Sequence, residues 1–211
     1  MLDTDRPRHD LIQDLYQWGP ALTSDLRARY PTAVIRELTQ LTIIAKRKFR
    51  GFEVYLLTGK GLKGYGYALR YNYVPARATV LGALILRAKA QEFREDGYVV
   101  ERYEDYTRKG RGNIVLATKD GVTSALIART TITVKGLRTI ADHLTEHAPT
   151  VKDLKVFVLP DDHDPVLMNA HTVGGLPVTL TEVPLSSITR PRSRTGPGEE
   201  TEESKTVAAG G

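Results

Sequence analysis

The chain contains no cysteine in its 211 residues, so disulfides and thiolate metal sites are excluded. It has no long apolar run either. The longest, Val80 to Leu86, falls far short of the ~20 residues a membrane-spanning helix needs. Met1 to His9 is polar and has no apolar segment of the secretory type, so no signal peptide is expected and a cytosolic location is. There is no internal repeat. No Ser-His-Asp arrangement can be seen from the sequence.

What is present is ordinary for a globular protein. Hydrophobic residues make up 41% and charged residues 26%. The length allows one or two domains with a real core. The formal net charge is +5, and its distribution is more informative than its size. Residues 1–75 carry 12 basic against 7 acidic side chains, residues 76–160 carry 14 against 10, and residues 161–211 carry 4 against 8. A basic body with an acidic end fits a polyanionic partner.

Leu11, Ile12, Leu15 and Trp18 recur at helical spacing, and Gly19-Pro20 stops that helix. Thr23 or Ser24 is the expected N-cap of a second helix carrying Leu26 and Tyr30. Pro31-Thr32 opens a third, with Val34, Ile35, Leu38 and Leu41 as its apolar face. Two β-prone runs follow, Ile43 to Ala45 and Phe52 to Leu57, around the basic turn Lys46-Arg47-Lys48-Phe49-Arg50-Gly51. Lys60 to Gly66 is glycine-rich, lacks the strand-to-helix setting of a phosphate loop, and is expected to be flexible chain.

Three short helices and a basic hairpin are the order of a winged helix-turn-helix. A recognition helix needs one face to pack and another to enter the major groove. The third predicted helix offers Thr32, Ala33, Arg36, Glu37 and Gln40 on its open face. Arg36 and Gln40, four apart, point the same way, and these side chains suit guanine and adenine. Glu37 on that face counts against an anionic partner. Lys46, Arg47, Lys48 and Arg50 would lie on the wing, beside phosphates or the minor groove. From Leu11 to Lys63 the chain resembles winged-helix regulators and plasmid replication proteins. The stretches LIQDLYQWGPALTSDLRARY, AVIRELTQLTIIAKRKF and VYLLTGKG carry that likeness. It implies a double-stranded DNA partner and a homodimer reading two half-sites. No cofactor and no metal are expected.

The second half reads as a helix over Thr79–Asp96, strands near Tyr98–Val100, Ile114–Ala117 and Ser124–Ala128, a helix through Leu137, Ile140, Ala141 and Leu144, and a strand over Leu154–Leu159. This α-β-β-β-α-β order resembles the restriction-endonuclease-like core of the replication-relaxation family. An active nuclease of that type holds Mg²⁺ with an acid on the second strand and a Glu-x-Lys on the third. Here Asn113 and Ala128 stand at those places, and Asp120, in a turn, could not replace both. The likeness therefore implies a lost metal site and no nuclease activity. Arg108, Lys109 and Arg111, with Tyr103 and Tyr106 nearby, could extend a DNA footprint. The Thr79–Asp96 helix is a candidate dimer element, or a helix packed on its own sheet.

His143 and His147 share a helical face but lack a third ligand, and Asp161-Asp162-His163-Asp164 reads as a polar turn between prolines. The predicted architecture is α+β: a winged helix-turn-helix over 1–75, a small α/β domain over 76–185, and a disordered tail over 186–211. The expected role is sequence-specific DNA binding, as a transcriptional regulator or a plasmid or phage replication factor. The alternatives are a protein-interaction adaptor and a non-specific architectural or repair protein.

Overall fold

The computed structural model describes residues 5–103, 114–160 and 171–189 and shows a mixed α and β fold with two sheets. Helix α1 (Asp5–Trp18) buries Leu11 and Leu15 and ends at Gly19, whose φ is 73°. Strand β1 (Ala21–Leu22), α2 (Thr23–Arg29), α3 (Thr32–Gln40), β2 (Ile44–Phe49) and β3 (Phe52–Leu57) follow. The three strands form an antiparallel sheet in the order β1-β3-β2.

Neither Thr23 nor Ser24 caps α2. Leu22 holds the cap position without a side-chain bond. Its pairing with Val54 in the sheet fixes where the helix starts, so the hydroxyl cap is not needed to set the boundary. The apolar face of α3 closes at Ile35 and Leu38, with Val34 half-buried. Leu41 is 42% exposed, contrary to its expected place in the core. The chain turns at Thr42 (φ 58°), and Ile44 takes the core position instead.

Lys60 to Gly66 is not flexible chain. Thr58 caps a short helix, α4 (Gly59–Lys63), by accepting from the Gly61 amide at 3.1 Å. The same hydroxyl donates to the Thr42 carbonyl at 2.6 Å. A Cβ on Gly61 would overlap the Ile43 carbonyl, so only glycine lets α4 approach the turn after α3. Tyr65 stacks on Tyr16 with ring centroids 3.7 Å apart.

The second half runs α5 (Arg77–Glu95), β4 (Val99–Arg102), β5 (Ile114–Lys119), β6 (Val122–Arg129), α6 (Val134–His147), β7 (Val151–Val158), β8 (Thr172–Val173), β9 (Leu176–Glu182) and α7 (Leu185–Thr189). Its six-stranded sheet has the order β4-β5-β6-β7-β9-β8. β5 and β6 form a hairpin through Asp120 and Gly121, with φ of 52° and 77° as a primed turn requires. β6 and β7 are parallel, and α6 makes the crossover between them.

The α-β-β-β-α-β succession is present, and β8, β9 and α7 extend it. Residues 186–189, expected in a disordered tail, belong to α7, where Ile188 is 6% exposed in the core around α5. A single isoleucine among Ser and Thr left little compositional trace. Residues 190–211 of that tail lie outside the described residues.

Strand alternation divides the core. Tyr55 and Leu57 of β3 pack with α1, α2 and α3, whereas Phe52, Val54 and Leu56 pack with α5. Helix α5 also packs Val80, Leu84 and Ile85 with Val115, Leu126 and Ala128 of the larger sheet. Seven consecutive residues, Val80 to Leu86, are buried, as in a helix enclosed on all sides. This stretch of the Thr79–Asp96 helix packs within the chain's own core, the second of the two readings given for it. α6 covers the sheet's other face through Leu137, Ile140, Ala141 and Leu144. No helix among the described residues is long and apolar enough to cross a membrane.

Candidate nucleic-acid interface

The open face of α3 is in place. Thr32, Ala33, Arg36 and Gln40 are exposed, while Ile35 and Leu38 anchor the opposite side. Three contacts hold the end of the helix. Lys60 Nζ donates to the Leu41 carbonyl at 2.7 Å, Thr58 binds the Thr42 carbonyl, and Tyr71 hydrogen-bonds the Thr42 hydroxyl. Lys60 thus satisfies one of the carbonyls orphaned at a helix C-terminus.

Glu37 is half-buried and bound by Arg8 of α1, whose Nε donates to Oε2 at 2.9 Å. The carboxylate that weighed against an anionic partner is already neutralised by an ion pair. This contact spans 29 residues, so no local pattern could reveal it.

The four basic residues of the hairpin do not act alike. Lys46 binds Glu53 across the strands at 2.6 Å. That hydrogen bond, opposed by partial burial and aided by the charges of Lys46, Lys48 and Arg27, holds the Glu53 carboxyl below its ordinary pKa. Arg47 is half-buried, and its guanidinium reaches the Lys46 carbonyl at 3.2 Å. Lys48 and Arg50 are exposed beside the turn at Gly51. Among the described residues, the side chains of Arg36, Gln40, Lys48 and Arg50 make no hydrogen bond or ion pair.

Sequence reasoning passed over Arg27. It is exposed on α2 and lies close enough to Glu53 to help lower its pKa, so it extends the positive surface of the hairpin. Arg29, two residues on, is held by Asp14 at 3.1 Å. Two unpaired donors on a helix face next to unpaired cations can form bidentate contacts to base edges and ionic contacts to phosphates.

The second half offers less. Arg108, Lys109, Arg111, Tyr106, Asn113 and Asp161-Asp162-His163-Asp164 lie outside the described residues. Tyr103 is buried, its hydroxyl 3.4 Å from His143 Nε2, and so is not available to a DNA footprint. His143 and His147 have ring centroids 4.5 Å apart, and no cluster of three or more metal-ligating groups occurs among the described residues. Ala128 is 6% exposed and packs toward α5, and Asp120 sits in the β5–β6 turn. Comparison with protein-family models, curated proteins and solved structures returns no match to this chain.

Proposed function

We propose that residues 8–67 form a winged helix-turn-helix, with α3 as recognition helix and the β2–β3 hairpin as wing. The protein is then a sequence-specific double-stranded DNA-binding protein, acting in the cytosol as a transcriptional regulator or a plasmid or phage replication factor. One observation carries this proposal. Arg36 and Gln40 are exposed and unpaired one turn apart on α3, while the acid on that face is taken up by Arg8. Lys48 and Arg50 supply phosphate contacts alongside.

The α5-β4-β5-β6-α6-β7 succession supports a relation to the replication-relaxation type of core. Ala128 at the position of the catalytic Glu supports a core without nuclease activity. Mg²⁺-dependent cleavage of plasmid DNA that is lost in Asp120→Ala would overturn that part. A homodimer would read two half-sites through a surface other than the enclosed stretch of α5.

The test is selection from fragmented genomic DNA with purified protein. Enrichment of one palindrome is the expected result and would establish specificity and dimeric binding together. Retention that falls with salt but prefers no sequence would contradict the proposal and favour architectural binding. No retention at any salt would favour an adaptor.

A further inference from the structure

Between α4 and α5 the chain forms a strap whose residues 66–74 are all exposed. Tyr67, Leu69, Tyr71, Tyr73 and Val74 are large hydrophobic side chains open to solvent there, and Leu41 is another at the adjoining end of α3. Only Val99 and Val122 share that status elsewhere among the described residues. Exposed apolar area concentrated in one place marks an interaction surface.

The strap is held in position. The amides of Tyr65 and Tyr67 both donate to the Leu62 carbonyl, at 3.0 and 3.3 Å. The Tyr67 ring meets Tyr16 edge-on with centroids 6.5 Å apart. The Tyr73 amide donates to the Arg70 carbonyl at 2.9 Å, and Tyr71 is tied to Thr42. A Cβ on Gly59 would overlap the Arg70 carbonyl, so the strap lies directly on the start of α4.

Its charge has one sign. No Asp or Glu occurs from Val54 to Gln91, whereas Lys63, Arg70 and Arg77 are exposed. These three make no ion pair among the described residues. A second copy of the chain would set these cations against themselves, so the charge favours a polyanion. Tyrosine rings interleaved with cations are the chemistry of single-strand binding, because unpaired bases have free faces to stack while duplex bases do not.

We propose that the strap from Tyr67 to Val74 is a contact for single-stranded DNA. Unpaired bases stack on Tyr67, Tyr71 and Tyr73, and Lys63, Arg70 and Arg77 hold the phosphates. The inference rests on the proposed duplex binding by α3 for its setting: Tyr71 adjoins the end of α3, so a strand leaving the bound duplex runs onto the strap.

Fluorescence anisotropy on the full chain tests it, with oligothymidine, a blunt duplex, and that duplex bearing an oligothymidine or an oligouridine-RNA tail. The variants are Tyr67→Ala/Tyr71→Ala/Tyr73→Ala, the corresponding triple Phe change, and Arg70→Ala. Wild type should bind the DNA-tailed duplex more tightly than the blunt one. The triple Ala change should weaken oligothymidine and tailed-duplex binding at least about tenfold. It should weaken blunt-duplex binding no more than the triple Phe change, which also removes the Tyr71–Thr42 hydrogen bond. The triple Phe change should keep the stacking gain, and Arg70→Ala should weaken oligothymidine and tailed-duplex binding while leaving blunt-duplex binding unchanged. Circular dichroism checks folding. If the triple Ala chain does not fold, Arg70→Ala and the triple Phe change decide.

The proposal is overturned if the tail adds nothing, if the losses are equal on blunt and tailed duplex, if the RNA tail is preferred, or if the triple Ala change dissociates a dimer in sedimentation. Tyrosine-dependent oligothymidine binding without blunt-duplex binding would remove the reading of α3 and leave the strap. Blunt-duplex binding without oligothymidine binding would do the reverse.

Discussion

Asp14 of α1 and Arg87 of α5 form an ion pair in which each side chain is only 12% exposed. Arg87 Nη1 reaches the two carboxylate oxygens at 3.0 and 2.9 Å, and Nη2 reaches the carbonyls of Asp14 and Gly19 at 3.2 and 2.9 Å. Burial, opposed by Asp14, pushes the Arg87 pKa down from its ordinary value. Asp14→Ala would leave that guanidinium buried without its counter-charge. Removing one partner of a buried pair costs about 3–5 kcal/mol. The two carbonyl acceptors remain, which places the expected loss near 3 kcal/mol by the same reasoning. At roughly 2–4 °C per kcal/mol for a chain of this size, the melting temperature should fall by about 6–12 °C. Arg29 also loses its partner, but it is 45% exposed and adds little. Replacing both members, Asp14→Leu with Arg87→Met, should come within about 1 kcal/mol of wild type because the desolvation cost disappears with the charges. Urea denaturation followed by circular dichroism measures both. A loss below about 1 kcal/mol for Asp14→Ala, or a double variant no better than the single, would refute the reasoning.

Gly61→Ala should destabilise by about 1–3 kcal/mol, because its Cβ would meet the Ile43 carbonyl. Gly64→Ala, whose Cβ would have its nearest neighbour at 3.8 Å, should change little in the same thermal melts. The lowered pKa of Glu53 means its pair with Lys46 contributes fully above the ordinary carboxylate pKa, and that contribution is lost as the pH falls through the folded value. Carboxyl NMR titration should find Glu53 below the usual range in wild type and back within it in Lys46→Met. Lys48→Ala should weaken binding to all duplexes alike and reduce the slope of log affinity against log salt by about 1. A loss confined to one sequence would place Lys48 at a base instead.

Much of the fold was legible because it follows local rules. Gly19-Pro20 and Tyr30-Pro31 punctuate the first three helices, and Asp120-Gly121 makes a hairpin turn that needs little context. The continuous burial of Val80 to Leu86 was visible as an apolar run, but sequence could not say that two sheets would enclose it. What escaped depends on distant partners. Leu22 replaces the expected hydroxyl cap because β3 pairs with it. Ile188 orders α7 by packing in the core around α5, far from it in sequence. In the candidate site, Arg36 and Gln40 were legible from spacing alone. The neutralisation of Glu37 by Arg8, the diversion of Lys46 to Glu53 and the support of α3 by Lys60 were not. Each is a contact between elements, and each changes which charges remain for a partner.

The most direct test of the central claim is the affinity of Arg36→Ala for a selected duplex and for every single-base-pair variant of it. Reading of a base by Arg36 predicts a loss of roughly 1–3 kcal/mol on the selected site, with discrimination erased at one base pair and kept at the others. An equal loss on selected and random duplexes, with discrimination intact at every position, would contradict base reading by α3.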